Sequence, residues 1–129
     1  MASKLGIKAG NRVLLIGAAR EWSIHDLPQT VRVSRRRGGS PADVVIAFFH
    51  DAASLNREIV VLSNTITADG ALWIAWPRKA TGRVSDLTDN VVRSAALPLG
   101  LVDIKVAALD EDWSSLKMVW RKELRIGRR

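Results

Sequence analysis

The sequence predicts a single α/β domain of three layers, with a mostly parallel six-stranded sheet, an antiparallel C-terminal strand and a short first helix. Two apolar runs carry most of that prediction, DVVIAFF at residues 43–49 and GALWIAWPRK at 70–79. Both are rich in β-branched and aromatic residues and too short to span a membrane, so they read as central strands buried on both faces. The segment between them has the length of a crossover helix, which makes the pair a parallel strand–helix–strand unit. The third observation is bulk composition. A chain of 129 residues that is 47% hydrophobic and 26% charged has the size and balance of one globular domain with a proper core.

Taken in order, residues 1–11 are polar and basic and read as a lead-in anchored by Leu5 and Ile7. RVLLIG at 12–17 is the first strand and ends in a glycine. Residues 23–28 leave room for barely two helical turns, less than an ordinary crossover, which is why the first helix is expected to be short or degenerate. The second strand is expected at 30–34, followed by a basic glycine turn at 35–41 and the strand at 43–49. Asp51 is placed to N-cap a helix running to about Ser63, with Ala52, Leu55, Ile59 and Leu62 on one apolar face. A polar turn is expected at 64–70 and a strand at 71–76, stopped by Pro77, which has no N–H for a ladder. Ser85 or Asp86 is the expected cap of the last helix, where Leu87, Val91 and Ala95 keep the helical period and Pro98 and Gly100 end it. Residues 101–109 and 115–122 read as two antiparallel strands around the acidic turn 110–113, and residues 123–129 as a basic tail.

Composition bounds function as well. No apolar run approaches the roughly 20 residues of a membrane helix, and the first ten residues hold no secretory h-region, so the chain reads as cytoplasmic with no membrane partner. The absence of cysteine removes disulfides, thiol nucleophiles and thiolate metal sites together. The formal net charge is +7 and the sequence pI about 10.8. Much of that excess sits in Arg121, Lys122, Arg125, Arg128 and Arg129, with a second cluster at Arg35, Arg36 and Arg37. Such clusters raise nucleic-acid binding through basic loops and tail. None of the five tryptophans lies inside either cluster, so the stacking platform of single-strand binders is missing.

The order of elements, ending in a helix and a strand pair, is similar to the second half of class I S-adenosylmethionine-dependent methyltransferases, a Rossmann-like fold. Closer still is the resemblance to a small bacterial domain-of-unknown-function family with a truncated methyltransferase-like core. It rests on KLGIKAGNRVLLIG at 4–17, ADVVIAFF at 42–49, GALWIAWPRKATG at 70–82 and the stretch from SDLTDNVV to MVWRK at 85–122. The methyltransferase resemblance implies a cofactor beside the first strand, and there the sequence departs from the pattern. A G-x-G-x-x-G turn is reduced to Gly17 in Gly17-Ala18-Ala19-Arg20-Glu21-Trp22, and Ser34-Arg35-Arg36 stands where an acid would accept hydrogen bonds from the ribose hydroxyls.

Ligands of open α/β sheets gather beyond the carboxyl ends of the strands. The candidate ligand-binding residues there are Gly17, Arg20, His50, Trp76, Arg78 and Lys79, a basic and aromatic rim suited to an anionic or planar ligand. The pairs His25-Asp26 and His50-Asp51 supply the residue types of a metal or acid–base site but no recognised spacing, and no catalytic or metal residue is assigned from them. The reading that follows is a non-enzymatic or activity-lost methyltransferase-like domain without a cofactor, working through protein contacts, with a homodimer among them. The alternatives are a methyltransferase or other nucleotide-ligand binder, and a nucleic-acid-binding protein.

Overall fold

A computed structural model describes residues 1–82 and 84–127, with every side chain among them except that of Ala80. Arg83, in the basic loop, and Arg128 and Arg129, in the basic tail, lie outside the described residues. Six strands form one mixed sheet: β1 (Arg12–Ile16), β2 (Arg32–Ser34), β3 (Ala42–Phe48), β4 (Ile66–Pro77), β5 (Leu101–Ala108) and β6 (Trp113–Trp120). Their spatial order is β2-β1-β3-β4-β6-β5. Strands β2, β1, β3 and β4 pair in parallel, and β6 inserts antiparallel to both β4 and β5.

The central strands are buried on both faces because their alternate residues feed two separate cores. On one face Leu14, Val45, Leu72, Ile74, Leu116 and Met118 pack beneath the two helices, α1 (Ala52–Ser63) and α2 (Asp89–Ala96). On the other, Val13, Leu15, Val44, Ile46 and Trp73 pack against Ala2, Leu5, Ile7 and Ile24. Strand alternation thus explains why these runs read as continuously apolar.

Helix α1 forms where the pattern places it. Asp51 is its N-cap and accepts from the Ser54 N–H at 2.7 Å, while Leu55, Ile59 and Leu62 are buried against the sheet. Strand β4 ends at Pro77. Gly100 ends the α2 region in the left-handed conformation, its N–H donating to the Leu97 carbonyl.

Several expectations are corrected. No helix lies between β1 and β2: residues 17–31 are turns and irregular backbone. The chain there wraps onto the helix-free face, where Trp22, Leu27 and Val31 join the second core. The three-layer arrangement is corrected with it. Both helices occupy one face, and the other is covered by turns of the N-terminal residues, which are far more than a lead-in: Ala2, Leu5 and Ile7 are at most 4% exposed. Residues 66–70, expected as turn, continue β4, since Ile66 packs in the core and pairs with Ala42 across the β3 bulge. Thr88, not Ser85 or Asp86, caps α2, accepting from the Val91 N–H at 3.2 Å. Ser85 and Asp86 instead tie this segment to α1, Ser85 Oγ donating to the His50 carbonyl at 2.7 Å and Asp86 Oδ1 accepting from the Ala52 N–H at 2.8 Å.

Candidate functional site

The chain direction reverses its course across the sheet between β1, which leads outward to β2, and β3, which leads on to β4. Such a switch point is where open α/β sheets hold ligands. Gly17 follows β1 there with φ +73°, and a Cβ on it would stand 2.7 Å from the Phe48 carbonyl oxygen. This glycine serves the close approach of two strand ends as well as the turn.

What stands beside Gly17 is aromatic. Trp22 packs edge-on against Phe48, the last residue of β3, with ring centroids 4.8 Å apart. Phe48 meets Trp113 at 4.9 Å, and the His50 ring meets Trp113 at 5.4 Å. The Trp22 indole donates to Asp110 Oδ2 at 2.9 Å, and Arg35 donates to the carbonyls of Ala19 and Trp22. An arginine from the end of β2 therefore holds the turn after β1 closed, in the place where an acid would face a ribose. Arg20 is exposed on that turn. These residues do not fit S-adenosylmethionine at the switch point as the structure stands: the ribose acceptor is absent and an indole packs where the nucleoside would approach.

Asp110 lies in the acidic turn expected between the last two strands. It is a hub. Its Oδ1 accepts from the Asp112 and Trp113 N–H groups at 2.8 and 3.0 Å, its other oxygen holds Trp22, and its carbonyl accepts from Arg78 at 3.2 Å. The Asx-turn part of this was available locally, since an aspartate two or three residues before other backbone donors is a turn former. The reach to Trp22, 88 residues away, was not.

Three of the candidate residues converge elsewhere. Trp76, Arg78 and Lys79 line a cavity of about 400 Å³ at the carboxyl end of β4, closed on its other side by Ser85, Thr88 and Asp89 at the start of α2. The lining carries both signs of charge, three hydroxyls counting Ser114, and an indole. Gly17 and Arg20 lie instead at the β1 turn, and His50 is exposed between the two places, its carbonyl bonded to Ser85. His25 is exposed and its neighbour Asp26 accepts from the Met1 ammonium group at 2.7 Å. Hydrogen bonds from that group and from the Ala2 N–H hold the Asp26 carboxyl below the usual range. Among the described residues no group of three histidine or carboxylate side chains is set to hold a metal ion, and no helix is long and apolar enough to cross a membrane.

No family model matches the sequence, and no curated protein matches it. Solved structures do. The ribosomal protein L11 methylase from Lactobacillus delbrueckii subsp. bulgaricus superposes with a TM-score of 0.57 at 11% identity, over 93% of this chain and 74% of that one. A putative methyltransferase from Thermoplasma acidophilum gives 0.57 at 9% identity, over 90% and 70%. Magnesium protoporphyrin IX methyltransferase from Synechocystis PCC 6803, with bound SAH, gives 0.52 at 14% identity, over 70% of this chain and 51% of its own. The chain thus spans about half the length of that enzyme. At these identities the likeness is one of fold, and with the strand order above it shows an α/β domain with a methyltransferase-like core.

Proposed function

We propose that this chain is a methyltransferase-type domain that binds a zwitterionic nucleoside ligand of the S-adenosylmethionine class in the cavity between β4 and α2. The observation that carries the reading is the lining of that cavity. Its volume lies within the roughly 300–1,000 Å³ of small-molecule sites. Arg78 and Lys79 offer charge to a carboxylate, Asp89 offers it to an ammonium or sulfonium, and Trp76 presents an indole at the base of the same space. Such a lining suits a ligand of both signs better than a simple phosphate. That magnesium protoporphyrin IX methyltransferase of like fold is seen with bound SAH, and that the other two structures are a methylase and a putative methyltransferase, supports the choice of ligand and an enzyme-type domain over a purely structural one. The geometry assigns no acceptor and no general base, so no transfer step is derived.

Thermal unfolding with S-adenosylmethionine, S-adenosylhomocysteine and adenine nucleotides tests this. A ligand at 100 times its dissociation constant stabilises by about 2.7 kcal/mol, a rise of several degrees for a chain of this size. We expect that rise with S-adenosylmethionine or its homocysteine product and its loss in Lys79→Ala and Asp89→Asn. Absence of any shift would transfer the reading to the second one, a non-enzymatic or activity-lost domain working through protein contacts, self-association included. The specific observation favouring that second reading is the packing of Trp22 on Phe48 at the switch point.

A further inference from the structure

Where β1 and β2 form the edge of the sheet, the face that carries α1 and α2 has no helix above it, because the chain after β1 goes to the opposite face. The turn after β2 folds back beside this gap and borders an open cavity of about 220 Å³. Its floor is apolar, with Leu14 and Ala42. Its walls are Arg12, Arg32 and Arg36 with the hydroxyls of Ser34 and Ser40, and no carboxylate contributes to the lining.

The arginines around it divide sharply in what they do. Arg37 forms an ion pair with Glu58, and Arg35 is spent on the Ala19 and Trp22 carbonyls. Arg12, Arg32 and Arg36 take part in no ion pair among the described residues. Three arginines lining one small space raise the positive potential there, and guanidinium forks match phosphate oxygens in geometry as well as charge. Gly38, in the left-handed region with φ +112°, leaves open space where a side chain would stand, so the turn does not close the cavity against a small guest. The volume is below that of drug-sized sites, which selects a compact group over an extended one.

We propose that this cavity is a binding site for a compact dianion, a phosphate monoester or free phosphate, held by Arg12, Arg32 and Arg36 with Ser40 as hydroxyl donor. The site is separate from the nucleoside cavity, which lies beyond β4, and stands or falls independently of it. Surface charge alone would bind phosphate no better than any other salt. A triad gathered around one cavity is expected to bind it saturably and one to one.

Isothermal titration of the full chain with inorganic phosphate at constant ionic strength, set with potassium chloride, provides the test. We expect one phosphate per chain, and a dissociation constant raised about tenfold or more in the Arg12→Gln/Arg36→Gln pair, since hydrogen bonds to charged groups are among the stronger ones. Arg57→Gln, on α1 and outside the lining, should bind as the unaltered chain does. Should the double variant fail to fold, Arg36→Gln alone, at an exposed turn position, should still weaken binding severalfold. No saturable phosphate heat, or unchanged binding in both arginine variants, overturns the site. So does a single-stranded oligonucleotide that binds with several-fold greater salt dependence and far more tightly than phosphate, which would make these arginines part of an extended polyanion surface.

Discussion

Single side chains decide the state of the switch point. Gly17 is confined by its left-handed backbone and by the Phe48 carbonyl; Gly17→Ala is therefore expected to lower stability by at least about 1–2 kcal/mol, read as a fall in the urea midpoint. Trp22 is only half-buried and is held by one ring contact and one hydrogen bond. Trp22→Ala should cost about 2 kcal/mol, less than a fully buried tryptophan, and Trp22→Phe should restore the ring contact but not the bond to Asp110. Lys117 is the informative titrating group. Burial, then the charges of Lys105 and Lys8, lower its pKa from the usual 10.5. The folded value lies below the unfolded one, so the charged lysine opposes folding at neutral pH, and that opposition fades as pH rises through the folded value. Lys117→Met is accordingly expected to raise the urea midpoint at pH 7, with the gain shrinking as pH approaches 10.5. A gain independent of pH would mean that packing, not charge, is responsible.

At the scale of elements, local signals succeed where they are self-sufficient. Helix α1 is found where expected because a cap and a three- and four-residue apolar spacing both sit within its twelve residues and the Asp51 before them. Leu55, fully buried beneath it, should cost about 2–5 kcal/mol as alanine. The start of α2 is misplaced because Ser85 and Asp86, both capping residue types, stand just ahead of Thr88, and nothing local says that they are engaged where α1 begins. Thr88→Ala is expected to destabilise by about 1 kcal/mol by denaturant unfolding, while Ser85→Ala should act through the junction with His50 instead. The first residues of β4 look like a turn because Ala68, Asp69 and Gly70 have low strand propensity. Pairing with β3 overrides it, as tertiary context does for propensities of this size.

Across the whole molecule, the unusual feature is a sheet whose second face is closed without helices. Trp73, fully buried at the centre of that face, donates through its indole to the Leu5 carbonyl at 3.3 Å, with the Lys105 and Lys117 ammonium groups 5.8 Å from its ring. The first residues are thus part of the core. Leu5→Ala should cost about 2–5 kcal/mol, and removal of residues 1–8 should prevent cooperative unfolding altogether, seen as loss of a sigmoidal urea transition. The two proposed sites lie on opposite wings of the sheet. One flanks β4, whose rim residues were recognisable as a basic and aromatic run. The other needs Arg12 from β1 to meet Arg32 and Arg36 twenty or more residues later, and only the arginines of the later turn stood out.

The sequence by itself determined the cores of the main strands and the approximate places of the two α-helices, that the domain is α/β, and that the glycine turn and ribose acid of a nucleotide fold are missing. Those are properties of periodicity, capping and residue identity, all expressed within a dozen consecutive residues. The tertiary structure alone decided that the first helix is absent rather than short, that Trp22 and Asp110 meet at the switch point, and that three arginines without an ion pair among the described residues share one cavity. Each of these depends on contacts between residues far apart in the chain, whose meeting is set by strand order and by which face of the sheet each connection crosses.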